Sequence, residues 1–236
     1  MIPKNFKALI TTFGWFLLLL PCLNFAQAES EEAITLKYKY PGMNFYREVL
    51  VKGSVYLDGA FQTGEWVVNG KYRKEAKMRY NAYRDIFELQ GPNHKITTLV
   101  KDPQMEAILQ GKLYRYIDYL DHNNLKSGYF TPLNKGTTLL YARAIKVIPQ
   151  LHFPEHGYET FKAPEFQLEL SYYIKRVGRP AVKLSGLGKK EVFAVLWDRF
   201  SELKKFAKKN GLHLRSEEEV VKALQYYDTL ALENIN

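Results

Sequence analysis

The run His152-Phe153-Pro154-Glu155-His156 carries the residue types of a zinc peptidase, two imidazoles and a carboxylate in H-x-x-E-H order. In that chemistry zinc takes both imidazoles from one helical face, one turn apart, while the glutamate activates water. Pro154 inside the run, with Pro149, Gly157 and Pro164 around it, opposes a regular helix, so these histidines read as loop residues. Serine hydrolysis needs a nucleophile, an imidazole and an acid brought together. Ser54, Ser127, Ser171, Ser185, Ser201 and Ser216 are available, and none lies in a G-x-S-x-G elbow. Glycosidic cleavage needs two carboxylates facing one cleft. Asp85, Glu88, Asp118, Glu165 and Glu169 fall near strands, and nothing in their spacing selects a pair. The sequence therefore points away from an enzyme and assigns no catalytic residue, no metal and no cofactor.

Tyrosine is the compositional excess: 17 residues within an aromatic content of 14%. On strands it either forms a binding surface, by stacking on a sugar or lining a lipid cavity, or fills half-buried sheet positions in cross-strand pairs. Arg79, Asn81 and Tyr83, opposite Met78 and Tyr80 in the alternation, make a polar cluster. Together with Tyr114 and Tyr116 they are the candidate ligand or partner surface.

The elements that position these residues are strands. Ile34, Leu36, Tyr38 and Tyr40 alternate with Thr35, Lys37 and Lys39, a period of two over β-branched and aromatic residues. The alternation resumes at Val49 to Leu57, at Ala76 to Ala82, and most cleanly at Phe166 to Tyr172. Asn69-Gly70 supplies the positive φ angles of a two-residue hairpin, and Gly91-Pro92-Asn93 and Val177-Gly178-Arg179-Pro180 mark further turns. At Lys189 the period becomes helical: Val192, Leu196, Phe200, Leu203 and Phe206 share one side, and Asn210-Gly211 stops the helix. Ser216 to Glu219 is a capping box for a second helix, with Val220, Ala223, Leu224 and Tyr227 as its apolar stripe. Strands joined by tight turns with no helix between them exclude a βαβ sheet. The expected fold is mainly β (α+β): a curved antiparallel meander sheet or partly open barrel over about 34–187, followed by two C-terminal helices at about 189–209 and 217–229.

The beginning of the chain reads as an export signal. Lys4 and Lys7 precede an apolar run from Ala8 to Leu20, and Ala26-Gln27-Ala28 is an A-x-A cleavage site. The run is shorter than the roughly 20 residues that span a bilayer, so no transmembrane segment is expected in the mature chain. Pro21 sits where a lipid-attachment site at Cys22 wants a small residue. The expected organisation is a signal peptide over 1–28 and a single β-rich domain over 29–236. Cleavage removes the one cysteine, which excludes disulfides and thiolate chemistry from what remains. It also removes Lys4 and Lys7, lowering the formal charge from +9 to about +7, an excess that favours anionic surfaces such as lipid headgroups or acidic glycans. Nucleic acid is a poor partner for an exported protein.

The segments Gly53-Ser-Val-Tyr-Leu-Asp58, Phe61-x-x-Gly64-Glu-Trp66, Arg79-Tyr80-Asn81-x-Tyr83 and Phe87-Glu-Leu89, with Phe206-x-Lys208-Lys209-Asn210-x-Leu212, Glu219-x-Val221 and Tyr226-Tyr227-Asp228 near the end, resemble a group of uncharacterised exported proteins common in the Bacteroidota. The resemblance implies export and a β-rich fold and carries over no catalytic residue. The expected protein is a non-catalytic envelope component, periplasmic or secreted and loosely associated with the outer membrane. Its partner would be an envelope protein or a lipid or glycan ligand, and its oligomeric state is left open. The alternatives are a periplasmic lipid or lipoprotein carrier with a half-barrel cavity, and a hydrolase with a non-local site.

Overall fold

The alternating segments become strands, and the turn signals fall between them. A computed structural model describes residues 33–39, 44, 46–151 and 161–232; the expected signal peptide and the His152 to His156 motif lie outside these. All described residues belong to one unit of the chain, from Ala33 onward. Strands β1 (Thr35–Lys39) and β2 (Tyr46–Leu50) pair antiparallel as a small separate sheet. Ten more form one sheet: β3 (Gln62–Val68), β4 (Tyr72–Asn81), β5 (Ile86–Gln90), β6 (Ile96–Thr98), β7 (Met105–Leu109), β8 (Lys112–Asp121), β9 (Asn124–Pro132), β10 (Leu139–Val147), β11 (Gln167–Lys175) and β12 (Ala181–Leu184).

Three tight hairpins use pairs of left-handed residues: Asn69-Gly70 after β3, Gln110-Gly111 after β7 and His122-Asn123 after β8. These φ angles match the right-handed twist of the flanking strands. From β8 to β12 the chain runs as the expected meander, and β12 then closes on β8 through a parallel pairing, Ala181 with Tyr119 and Val182 with Leu120. An odd number of meandering strands can close only in parallel, so these five make a small barrel. The other half departs from a simple meander: β3 to β6 run in order, and the chain then returns to place β7 against the free side of β3.

The barrel is filled. Tyr119, Phe130, Tyr141, Tyr173 and Ala181 are all buried inside it, with Phe130 packed edge-on to Tyr173 at 4.8 Å between ring centres. A second cluster, built on Met78, Tyr80, Phe87, Tyr114 and Tyr129, lies under β4, β5, β7 and β8. A third joins Leu140, Ile174 and Leu184, on the outside of the barrel, to the helices.

Three helices cover that outer face: α1 (Lys189–Val195), α2 (Phe200–Lys209) and α3 (Glu217–Leu232), with a 3-10 turn at Trp197–Arg199. The continuous helix expected over 189–209 is thus broken at Leu196, where φ is −106° and ψ is 34°. The break lets Leu196 bury completely and leaves Asp198 facing Arg176 at 3.0 Å and the Tyr227 hydroxyl at 2.8 Å. Helix α2 ends at Gly211, whose φ of +64° and the Leu212 amide donating to Ala207 O at 2.9 Å form a Schellman stop. The Ser216 hydroxyl accepts the Glu219 amide at 3.3 Å. Glu219 in turn accepts the amides of Arg215 at 2.9 Å and His213 at 3.3 Å, reaching further back than the simple capping box requires.

Two tyrosine hydroxyls tie these elements together. Tyr172 on β11 donates to Glu217 at 2.7 Å, and Tyr227 on α3 donates to Asp198. The hydrogen bond to Glu217 pushes the Tyr172 hydroxyl up to about 12 from 10.0; burial and then Asp198 push that of Tyr227 to about 12. A pKa raised on folding means the folded state holds the proton more tightly. The stabilisation is complete below pH 10 and fades as pH rises through about 12. Replacing both by Phe should therefore make denaturant midpoints fall less steeply with pH across that window. Equal steepness in wild type and the double variant would show that neither hydroxyl holds the helices.

Candidate functional site

The five residues singled out in the sequence do not share one surface. Arg79 and Asn81 face away from Met78 and Tyr80, as the alternation requires, yet both are buried, because the segment from Val55 to Phe61 lies over that face of β4. Glu88 on β5 sits between them: it accepts from Arg79 Nε at 2.9 Å, from Asn81 Nδ2 at 3.1 Å and from the Tyr56 hydroxyl at 3.1 Å. The Arg79 guanidinium is sandwiched by the rings of Tyr56 at 3.9 Å and Phe61 at 4.2 Å. This is an interior ionic network, and a ligand cannot reach it without displacing the covering segment. Tyr83 is exposed on one edge and packs on Phe166 at 5.1 Å. Tyr114 is buried against Phe87 at 5.1 Å and Tyr80 at 5.5 Å, and burial raises its hydroxyl pKa. Tyr116 is half-buried on Tyr129 at 5.2 Å. Tyr80, Tyr114, Tyr119, Tyr129, Tyr141 and Tyr173 are buried in the sheet's interior instead of forming an open surface.

A second ionic network links the two halves of the sheet. Asp85 accepts from Tyr80 at 2.5 Å, from the Tyr129 amide at 3.2 Å and from Arg143 at 2.9 Å. Arg143 also donates to the Tyr119 hydroxyl at 3.1 Å. Burial first, and then the Asp85 carboxylate, pushes the Tyr80 hydroxyl well above its ordinary range. Arg143 lines a polar cavity of about 190 Å³ at the barrel mouth, together with Tyr119, Asp121, Glu169, Ser171, Tyr173 and Lys183.

Asp121 and His122 meet at 3.0 Å on the β8 to β9 turn, and Ser185 lines the same depression. The His122 side chain is 94% exposed, and among the described residues no serine hydroxyl bonds to it. A catalytic imidazole must be held against its nucleophile, and this one projects into solvent. No group of three or more His, Cys, Asp or Glu among the described residues is placed to hold a metal ion.

A further unfilled feature, with a distinct chemical character, lies on the helical side. A groove of about 500 Å³ runs between the β11 to β12 turn and α1. Its floor is apolar: Ile174, Val182, Leu184, Ala194 and Val195 line it, the buried Ile174 and Leu184 being shared with the core beneath. Its walls carry Arg176, Arg179 and Lys190, with Glu191 as the carboxylate among them and Trp197 at one end; Lys183, though it borders the groove, is in register with Tyr173 and faces the barrel mouth. Arg176 is committed, because it bonds Val195 O at 3.5 Å and Asp198 at 3.0 Å and so anchors the turn to the helix break. Among the described residues no carboxylate pairs with Arg179, Lys183 or Lys190, and all three are exposed. None of these residues stands in a motif of its own in the sequence. Their signal was present as Arg176-x-x-Arg179 in the turn, the Lys189-Lys190 pair and Trp197, but they come from three segments whose meeting only the barrel closure and the helix break bring about.

No protein-family model matches the chain, and comparison with curated proteins and with solved structures returns no match. Function has to be read from this geometry.

Proposed function

We propose that the chain is a non-catalytic binding module of the cell envelope, exported by its first 28 residues, that engages an anionic partner through the groove between the β11 to β12 turn and α1. The observation that carries this reading is the pairing of a filled interior with an open, cation-walled groove. A half-barrel carrier needs an enclosed apolar cavity for acyl chains, typically several hundred Å³. The barrel here is occupied by Tyr119, Phe130, Tyr141 and Tyr173, and the cavity at its mouth is small and polar. The groove combines an apolar floor with Arg179 and Lys190, which suits a ligand bearing negative charge beside a nonpolar part. Export is supported by the basic, apolar and A-x-A segments at the start of the chain and by the resemblance to exported proteins of the Bacteroidota.

The test is mass spectrometry of the protein purified from cell envelope without detergent. The expected polypeptide begins at Glu29 and carries no stoichiometric lipid. An intact leader would remove the export reading, and one bound phospholipid per chain would replace the module by a carrier.

A further inference from the structure

The groove's rim carries more exposed apolar surface than a soluble ligand requires. Val177, at the tip of the β11 to β12 turn, is 75% exposed, Trp197 is 67% exposed and Phe200 is 45% exposed. Trp197 and Phe200 are three residues apart across the 3-10 turn, which brings their side chains to one side. The hydrogen bonds of Arg176 to Val195 O and Asp198 fasten the Val177 turn to that same helical junction. The protruding residues thus rest on a rigid support. Around them stand Arg179 and Lys190, with Lys204 over the Phe200 ring at 5.6 Å. The acids of the neighbourhood are largely spent: Asp198 pairs with Arg176 and Glu202 with Arg199, leaving Glu191 as the carboxylate in the groove wall.

Exposed aliphatic and indole side chains ringed by lysine and arginine match the interface of an anionic membrane. Tryptophan partitions to the headgroup level, apolar side chains anchor in the shallow acyl boundary, and cations attract acidic headgroups. A soluble acidic polymer would use the same cations but would gain little from Val177, an aliphatic side chain 75% exposed outside the groove lining. We infer that this rim docks the protein on the surface of an anionic phospholipid bilayer, with Val177 and Trp197 entering the headgroup layer while Arg179 and Lys190 contact phosphates. The inference gives the anionic partner of the proposed module an identity and rests on that reading for its compartment. Contact is peripheral and reversible, and no lipid leaves the bilayer.

The experiment uses the chain from Glu29 onward, which contains every described core cluster. In this chain Trp66→Phe leaves Trp197 as the one indole. The protein is mixed with phosphatidylcholine vesicles, with or without phosphatidylglycerol, and sedimented. Phosphatidylglycerol is expected to bring the protein down and shift Trp197 emission to the blue, with both effects weakening as salt is raised. Phosphatidylcholine alone should do neither. Trp197→Ala, and Arg179→Glu with Lys190→Glu, alter exposed residues and should leave the fold intact by circular dichroism while lowering vesicle affinity at least ~10-fold. Three outcomes would overturn the inference: no sedimentation, sedimentation indifferent to phosphatidylglycerol, or full affinity in the folded variants. A Trp197 shift with soluble polygalacturonate and none with vesicles would overturn it too and make the partner a glycan. Vesicle binding is read separately from co-purified lipid, so failure here leaves the module reading to its own test.

Discussion

Glu88→Gln is expected to lower the unfolding free energy by about 3–5 kcal/mol, the usual cost of breaking one side of a buried ion pair. Three donors converge on this carboxylate, from Arg79, Asn81 and Tyr56, and its side chain is only 9% exposed, that of Arg79 8%. An amide keeps the shape and offers one acceptor oxygen where there were two, so its own N–H groups must face a donor. The desolvation cost of the charged guanidinium then has less to offset it. Urea unfolding should report the loss as a midpoint shift of roughly 1.5–2.5 M, given a slope of about 2 kcal/mol per M. The double variant Glu88→Gln with Arg79→Met should cost less than the two single changes summed, by at least ~1 kcal/mol, because the pair is coupled. A loss below about 1 kcal/mol for Glu88→Gln, or strict additivity, would mean that solvent reaches the network.

That network also marks the limit of what the chain shows before it folds. Alternation places Arg79 and Asn81 opposite Met78 and Tyr80, and the register of β4 against β5 agrees. Period two says which face a residue takes and nothing about what covers that face. The cover comes from Val55 to Phe61, a segment whose only ladder contact is the isolated bridge of Tyr56 to Asn81, and a bridge of that kind has no periodic signature. The other elements divide along the same line, local signal against distant contact. Asn69-Gly70 announced its hairpin because the φ requirement is local. The parallel closure of β12 on β8 depends on contacts 62 residues apart, Ala181 with Tyr119, and no local residue preference encodes them. The α1 to α2 break was hidden because Leu196 and Phe200 both fit the apolar stripe; what breaks the helix is a tertiary demand, Asp198 serving Arg176 and Tyr227. The cation-walled groove inherits both of these non-local events, so its residues were individually visible and collectively unreadable.

Gly128→Ala should be comparably severe, at least ~3 kcal/mol, and for a steric reason that leads to an electrostatic one. Gly128 is not among the positive-φ glycines, so alanine meets no backbone strain. The difficulty is space: a Cβ there would lie 2.5 Å from Asp85 Oδ2 and 3.0 Å from Arg143 Nη2. Those two atoms form an ion pair of 2.9 Å with side chains 14% and 12% exposed. The carboxylate cannot yield without stretching its bonds to Tyr80 and to the Tyr129 amide, and Arg143 is held against Tyr119 and Phe130 at 4.7 and 5.3 Å from their ring centres. Overpacking alone costs about 1–3 kcal/mol, and parting a buried pair about 3–5 kcal/mol; the larger figure governs if the methyl group wedges the pair open. The mechanism has its own signature. Asp85→Ala should also destabilise, since it leaves Arg143 and the Tyr80 hydroxyl facing an empty site, but once Asp85 is gone the added methyl has room. Gly128→Ala in the Asp85→Ala background should therefore cost under ~1 kcal/mol. If it costs as much there as in the wild type, the collision is with Arg143 or the strand itself, and Asp85 is not what requires glycine at this position.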